Sequence, residues 1–181
     1  DVLMGNDGQD TIDGGAGNDD INAGDGDDSV TAGAGDDTVT GDDGDDTVFG
    51  GAGNDSVLAN NGADSLFGEA GDDTLNGDGG LDSIDGGDGN DLIFAGADND
   101  TVSGGLGNDT VNGQAGNDSL SGDDGDDVLN GQAGQDSLNG GLGNDIANGN
   151  SGDDTLLGGD GDDTIYGGSG NDTSDGQGGA D

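Results

Sequence analysis

Aspartate recurs at every ninth position of the sequence, without an insertion or a deletion. The series runs from Asp1 to Asp181 and contains 21 aspartates. Carboxylate oxygens are ligands for hard cations, whereas zinc and copper prefer the imidazole and thiolate groups that this chain lacks. Ca²⁺ accepts six to eight oxygens in a flexible arrangement, and Mg²⁺ demands a tight octahedron and keeps its waters. The spacing therefore predicts a series of calcium-binding sites.

The aspartates belong to a nine-residue unit that fills the chain. Gly lies two positions before each Asp from Gly8 to Gly179, with Asp98 as the single exception. A branched aliphatic residue lies two positions after each Asp, except at Ala147 and Ser174. A second Gly lies five positions before each Asp, and Ala replaces it at positions 23, 32, 59 and 95. The unit reads G-[G/D/N/Q]-x-G-[N/D]-D-[T/S]-[V/I/L]-x, as in residues 158–166, and its positions are numbered 1 to 9 below.

This unit resembles the GGxGxDxUx nonapeptide of the RTX (repeats-in-toxin) family, a calcium-binding repeat. The resemblance covers the whole chain in one register over twenty units. It implies an all-β fold, a right-handed parallel β-roll (a β-solenoid) with two repeats per turn and about ten turns. It also implies a calcium ion between successive loops on each side. We expect residues 1–181 to form a single repeat array, excised from a longer protein.

The residue types support the same fold independently. The last three residues of each unit, such as Thr38–Thr40, alternate and are rich in β-branched side chains, which predicts a three-residue strand with its central aliphatic pointing inward. Stacking at 4.7–4.9 Å would pair the backbone groups of successive turns. The six preceding residues should form a tight loop, with glycine supplying positive φ angles and Asn or Asp at position 5 tolerating them.

Composition indicates that the chain either stays unfolded or folds by binding many cations. The chain has 43 acidic residues and no Lys, Arg or His, so its formal net charge is −43, while Leu, Ile, Val and Phe together number only 30 of 181 residues. Such a chain cannot offset its backbone entropy and self-repulsion by apolar burial alone. Twenty loops stacked in two columns give up to about 18 inter-loop calcium sites, which would cancel 36 charges. The predicted ligands are the aspartates that end the loops: Asp10, Asp19, Asp28, Asp37, Asp46, Asp55, Asp64, Asp73, Asp82, Asp91, Asp100, Asp109, Asp118, Asp127, Asp136, Asp145, Asp154, Asp163, Asp172 and Asp181.

Several classes of function are excluded. Nucleic acid is not expected as a partner, because no cationic side chain can neutralise a phosphate. No enzyme is expected, because the chain has no His, Cys, Lys or Arg to act as nucleophile, base or oxyanion clamp. No apolar run approaches the length of a membrane span.

Two functions remain open. The first is a calcium-binding module of a secreted bacterial protein, unfolded without Ca²⁺ and folding in extracellular calcium, which supports type I secretion and folding of its parent. The second is a rigid, calcium-stiffened spacer of a surface adhesin, S-layer or matrix protein. Ice binding is a weaker alternative, because only Thr38-Val39-Thr40 forms a T-x-T strand. In each case the location is extracellular or at the cell surface, and the partners are calcium and the flanking domains of the parent protein.

Three local features carry predictions of their own. Phe49 and Phe67 lie two repeats apart at the outward position 9 and should stack, as simple cross-strand stabilisation or as a docking patch for a neighbouring domain. Asp98 should strain the loop 95–100, because it replaces the glycine of position 4. The C-terminal repeat should fray, because Ser174 replaces the core aliphatic.

Overall fold

The computed structural model describes residues 1–180, and Asp181 lies outside the described residues. These residues form twenty strands and no helix. The strands are β1 Val2–Asp7, β2 Thr11–Ala16, β3 Asp20–Asp25, β4 Ser29–Ala34, β5 Thr38–Asp43, β6 Thr47–Ala52, β7 Ser56–Asn61, β8 Ser65–Ala70, β9 Thr74–Gly79, β10 Ser83–Asp88, β11 Leu92–Ala97, β12 Thr101–Leu106, β13 Thr110–Ala115, β14 Ser119–Asp124, β15 Val128–Ala133, β16 Ser137–Leu142, β17 Ile146–Ser151, β18 Thr155–Asp160, β19 Thr164–Tyr166 and β20 Thr173–Gly178.

The strands form two parallel sheets of ten strands each. One sheet, here called the odd sheet, contains the odd-numbered strands in chain order, and the even sheet contains the even-numbered strands. Every strand pairs with the strand two repeats away, so that Val39 of β5 lies beside Val57 of β7, 18 residues further along the chain. Each turn therefore consists of two repeats, and ten turns follow one another. The predicted parallel β-solenoid is confirmed.

The core is a thin layer between the two sheets. The aliphatic residue of position 8 is buried in almost every strand, as Val30, Leu66 and Leu129 show with no exposed surface. Position 1 also points inward, and its side chain is absent or is the methyl of a buried alanine such as Ala59. Positions 7, 9 and 2 face outward. The core is thin because only one large side chain per repeat enters it.

The strands are longer than the sequence pattern indicates. The prediction of three-residue strands with six-residue loops is wrong, because all strands except β19 have six residues and include positions 1 to 3. The pairing continues through these glycine-rich positions, and Gly24 and Asp25 lie in register with Asp42 and Asp43. Stacking of identical turns allows this, since a backbone without strong β propensity still finds a partner above and below. Only positions 4 to 6 are left for the turn.

Positive φ angles occur at positions 2 and 4 of every loop. At position 2 glycine and other residues both adopt them, for example Gly51 (φ 112°) and Asp42 (φ 77°). At position 4 the φ angles of the glycines are larger, for example 140° in Gly35, a value that residues with a side chain rarely adopt. The expectation that Asn and Asp at position 5 tolerate positive φ is wrong, because no position-5 residue among the described loops adopts it. Those side chains instead make the hydrogen bonds described below.

Phe49 and Phe67 stack on the outer face of the even sheet, as predicted. Their ring centroids are 4.9 Å apart and the ring planes differ by 9°. The two residues are register partners on β6 and β8. The stack follows from the strand spacing, and whether it also docks a neighbouring domain stays a prediction.

Candidate metal centre

The aspartates of position 6 line both edges of the solenoid and are buried. The loops that follow odd strands place one column at one edge, and the loops that follow even strands place a second column at the other. From Asp19 to Asp163 each of these side chains is almost inaccessible, with Asp46 only 1% exposed. A buried carboxylate is costly unless it is paired, bound to a metal or protonated. Within the described residues no cationic side chain exists to pair with it.

From Asp28 to Asp172, one carboxylate oxygen of each column aspartate accepts a hydrogen bond from the backbone of the preceding turn. Oδ1 of Asp127 accepts a hydrogen bond from the backbone N–H of Asp109 at 2.8 Å, and the N–H of Asp127 in turn donates to Oδ1 of Asp145 at 2.9 Å. The same bond repeats along both edges, from Asp10 to Asp172. This ladder fixes the carboxylates in one orientation and uses only one of their two oxygens.

The other oxygen of each column carboxylate from Asp10 to Asp154 is buried and has no hydrogen-bond partner. Proteins rarely leave a buried polar atom unsatisfied, so a repeated series of such atoms requires a specific explanation. Oxygen Oδ2 is in this state in Asp10, Asp19, Asp28, Asp37, Asp46, Asp55, Asp64, Asp73, Asp82, Asp91, Asp100, Asp109, Asp118, Asp127, Asp136, Asp145 and Asp154. A cation bound between the turns would satisfy these buried carboxylate oxygens.

Backbone carbonyls lie beside these oxygens. If Gly50 carried a Cβ, that atom would lie 2.6 Å from Oδ2 of Asp55 and 2.9 Å from the carbonyl oxygen of Gly68, two repeats along the chain. The same pair of oxygens surrounds Gly113, where they belong to Asp118 and Gly131. Carboxylate and carbonyl oxygens from successive turns thus converge on one side of a glycine. This donor set is that of Ca²⁺.

Burial raises the pKa of the column carboxyls from Asp46 to Asp145. It raises the pKa of Asp73, Asp100 and Asp127 to about 7, the neighbouring carboxylates of the column raise it further, and the backbone hydrogen bond opposes the rise. The pKa of a second group is raised to about 6 for the same reason: Asp46, Asp55, Asp64, Asp91 and Asp136. Without a cation, burial thus makes the charged form of these carboxyls less favourable than in water, and a divalent ion would stabilise it.

A second ladder, which the repeat pattern had not been taken to predict, lies outside the first. At position 5, Oδ1 of Asn18 accepts the backbone N–H of Asp36, and Oδ1 of Asp36 accepts that of Asn54, each at 3.1 Å. This ladder points forward along the chain, opposite to the aspartate ladder. The signal for it was the preference of position 5 for Asn and Asp, which share a side-chain acceptor oxygen. Ala63 and Leu81 interrupt it because they have no acceptor.

Asp98 disturbs the stack at the loop 95–100. Its φ angle is 82°, whereas its stacking neighbours Gly80 and Gly116 have φ angles of 140° and 156°, which side chains rarely adopt. The N–H of every position-4 glycine from Gly8 to Gly161 donates to a carbonyl of the next turn. The N–H of Asp98 makes no such bond. The bond from Gly80 to Ala97 is stretched to 3.3 Å. The predicted strain at Asp98 thus has a visible structural basis.

The aspartates predicted as ligands line the two edges of the solenoid, and their binding of calcium stays a prediction. Those from Asp10 to Asp163 lie in the two columns, Asp172 is half-buried at the end of one column, and Asp181 lies outside the described residues. In the described part of the chain no group of three acidic side chains converges as a metal site. An ion between two turns would therefore draw on the column aspartates and on backbone carbonyls. No helix within residues 1–180 is long and apolar enough to span a membrane.

The fold and these edges define a parallel β-solenoid with two columns of buried carboxylates. The family model of the RTX calcium-binding nonapeptide repeat matches the chain at residues 1–30, 22–57, 49–84, 58–93, 77–111, 112–147 and 148–181. Since these matches cover the whole chain, it belongs to the RTX calcium-binding repeat family. That family is a structural calcium-binding module and not a catalytic one. A search of curated proteins finds no match.

Proposed function

We propose that this chain is a calcium-responsive folding module, disordered without Ca²⁺ and folded as a solenoid when calcium occupies its two edges. The observation that carries the proposal is the pair of columns in which, from Asp10 to Asp154, one carboxylate oxygen of each aspartate is buried without a hydrogen-bond partner. The predicted column aspartates, together with carbonyl oxygens of successive turns, would hold the ions. Bound Ca²⁺ supplies positive charge to the carboxylates and links the turns.

The charge of the chain gives calcium a large role in folding. A formal charge of −43 opposes compaction, and about 18 divalent ions would leave only a small residual charge. The aliphatic core has one large side chain per repeat and cannot offset this repulsion alone. Binding free energy would then become folding free energy, as in small structural metal domains.

The family suggests the setting in which this switch operates. Type I secretion would carry the unfolded chain out of a low-calcium cytosol, and millimolar extracellular calcium would fold it and assist the folding of its parent. Calcium modules outside cells have dissociation constants of about 10⁻⁴–10⁻³ M, which suits such a switch. The protein would then be found outside the bacterial cell or at its surface.

A second candidate function is a rigid spacer in a surface adhesin, S-layer or matrix protein. The uninterrupted order of both ten-stranded sheets favours it, because no strand is skipped or inserted. Ten turns at about 4.8 Å give a rod of roughly 50 Å. Both functions need calcium, and they differ in the domains that flank the segment, so sequencing of the full reading frame distinguishes them.

The central experiment measures calcium-dependent folding and stoichiometry. In excess chelator the far-ultraviolet circular dichroism should be that of a disordered chain, and millimolar Ca²⁺ should produce a β spectrum in one cooperative step. The same concentration of Mg²⁺ should have little effect. Native mass spectrometry should then show many ions, approaching about 18 per chain. A strong β spectrum in chelator, or fewer than about eight bound ions, would contradict the proposal.

A further inference from the structure

The outer face of the odd sheet carries no charged side chain between β11 and β19. The outward positions 7, 9, 2 and 3 of these five strands contain only neutral residues, although about a quarter of the chain is acidic. The first half of the same face contains Asp20, Asp42 and Asp78, and the corresponding part of the even sheet contains Asp123 and Asp175. We call this surface the neutral face. It extends over five consecutive strands of one sheet.

Two parallel rows of amide side chains cross the neutral face. The rows are Asn112, Asn130 and Asn148 at position 9, and Gln114, Gln132 and Asn150 at position 2. In the first row, Nδ2 of Asn130 donates to Oδ1 of Asn112 at 3.2 Å, and Nδ2 of Asn148 donates to Oδ1 of Asn130 at 3.0 Å. These bonds hold the amides in a fixed orientation at the spacing of the strands. The row is therefore preorganised before any ligand arrives.

The amide rows can both donate and accept further hydrogen bonds. An amide has two N–H donors and two acceptor lone pairs, and each residue of the row uses one donor and at most one acceptor. Asn112, Asn130, Gln132, Ala133, Asn150 and Ser151 line a shallow open groove between the two rows. A ligand in this groove would meet donors and acceptors in equal measure and no net charge. Hydroxyl groups have the same dual character.

Aromatic side chains lie at both ends of the first amide row. Phe94 is the register partner of Asn112, and Tyr166 is the register partner of Asn148. The side chain of Tyr166 is 59% exposed. An exposed aromatic ring offers an apolar surface for packing and, in tyrosine, a polar tip. Amides in the centre with rings at the ends match a ligand that is polar at its edges and apolar on its faces.

We propose that the neutral face binds a neutral oligosaccharide, whose hydroxyls pair with the amide rows and whose ring faces pack on Tyr166 and Phe94. Anionic polymers would be repelled by the chain as a whole, and cations would be drawn to the carboxylate edges. A second copy of the chain is a poorer occupant. The face covers roughly 500 Å² by strand spacing and rise, less than the about 800 Å² per partner of a standard interface. This binding would be additional to the calcium function.

The test uses the calcium-loaded chain and defined sugars. Cellohexaose, laminarihexaose and maltohexaose are each titrated into isotopically labelled protein, and the side-chain amide signals of Asn112, Asn130 and Asn148 are followed by NMR. At least one sugar should produce saturable shifts there, and hexagalacturonate should produce none. Asn130→Asp should weaken binding at least about tenfold, because it places a carboxylate in the row with little change of shape.

Matched variants separate binding from folding. Asn139→Asp makes the same change at the same repeat position on β16 of the even sheet and should leave sugar binding unchanged. If Asn130→Asp weakens the calcium-dependent β spectrum, Tyr166→Leu provides a second test at an exposed site and should also weaken binding. Absence of saturable shifts with all three sugars would overturn the proposal. So would a dimer in sedimentation experiments that Asn130→Asp dissociates, because a second copy would then be the occupant.

Discussion

At the scale of single residues, positions 5 and 6 of each repeat differ in chemistry although both are commonly acidic. Asp126 and Asp127 are adjacent, but Asp126 is exposed and Asp127 is buried. Both side chains accept a backbone N–H through Oδ1. Only Asp127 has a second oxygen that is buried without a partner. The two residues therefore form a matched pair that separates ladder formation from metal binding.

We predict that Asp127→Asn removes calcium whereas Asp126→Asn does not. Asparagine keeps the Oδ1 acceptor in both cases, but at position 127 its NH₂ group replaces the oxygen that would bind the ion. Because each column aspartate borders two inter-turn sites, Asp127→Asn should lower the number of bound ions by one or two in native mass spectrometry. Asp126→Asn should leave that number unchanged. Equal ion counts in the two variants would contradict the assignment of position 6 as the ligand.

At the scale of strands and loops, the inward column of aliphatics is the main apolar element. Leu66 has no exposed surface, whereas Leu58 lies half-buried on the outer face at position 9. We expect Leu66→Ala to lower the free energy of unfolding in saturating calcium by about 2–5 kcal/mol. Leu58→Ala should cost less than about 1 kcal/mol. Urea unfolding measures both values, and similar losses would indicate that the two sheets do not pack through position 8.

The loop 95–100 is predicted to be the weakest part of its column. Asp98→Gly should allow the φ angle of the neighbouring glycines and restore the missing N–H bond, for a gain of about 1 kcal/mol. If about 18 ions bind in one step, such a gain shifts the calcium midpoint by only roughly 10%. Hydrogen exchange of residues 95–100 is therefore the sharper measurement, and it should slow.

The reverse substitution is the control for the prediction about the loop 95–100. Gly116→Asp places an aspartate at the same position of the next loop in the column, where a Cβ would contact the carbonyl of Asp98. It should accelerate local exchange. Unchanged exchange around residue 98 in Asp98→Gly would show that the aspartate is accommodated without strain.

The sequence was sufficient for those features that depend on the period alone. The nine-residue register placed an aspartate at the same point of every loop, and the resemblance to the RTX nonapeptide implied two repeats per turn, which assigns Asp46 and Asp64 to one column and Asp55 to the other. It was not sufficient for backbone conformation, because the extension of strands through glycine-rich positions depends on pairing between turns rather than on local propensity. The neutral face was also hidden, since it emerges only when alternate repeats are read together. The consensus of the repeat units combines residues from both sheets, so it does not show that part of one sheet lacks acidic residues.

At the scale of the whole molecule, the two carboxylate columns link folding to pH. Burial raises the folded-state pKa of Asp73 and Asp127 to about 7 and that of Asp55 to about 6, above the ordinary value of 3.8. Between these values the folded chain binds more protons than the unfolded chain. The stability of the metal-free fold should therefore fall as pH rises from about 4 to about 7, and it should be lowest above pH 7.

We therefore predict that acid partly replaces calcium. In calcium-depleted buffer the β signal in circular dichroism should increase as pH is lowered from 8 to 4, because protonation neutralises the buried columns. In the presence of calcium, protons compete with the ions for the same carboxyls. Fewer calcium ions should therefore be bound at pH 5 than at pH 8. Light scattering must remain constant, because aggregation of the neutralised chain would also produce a β signal. A metal-free spectrum that stays disordered down to pH 4 would show that neutralising the carboxylates is not enough, and that the calcium ions must also link the turns.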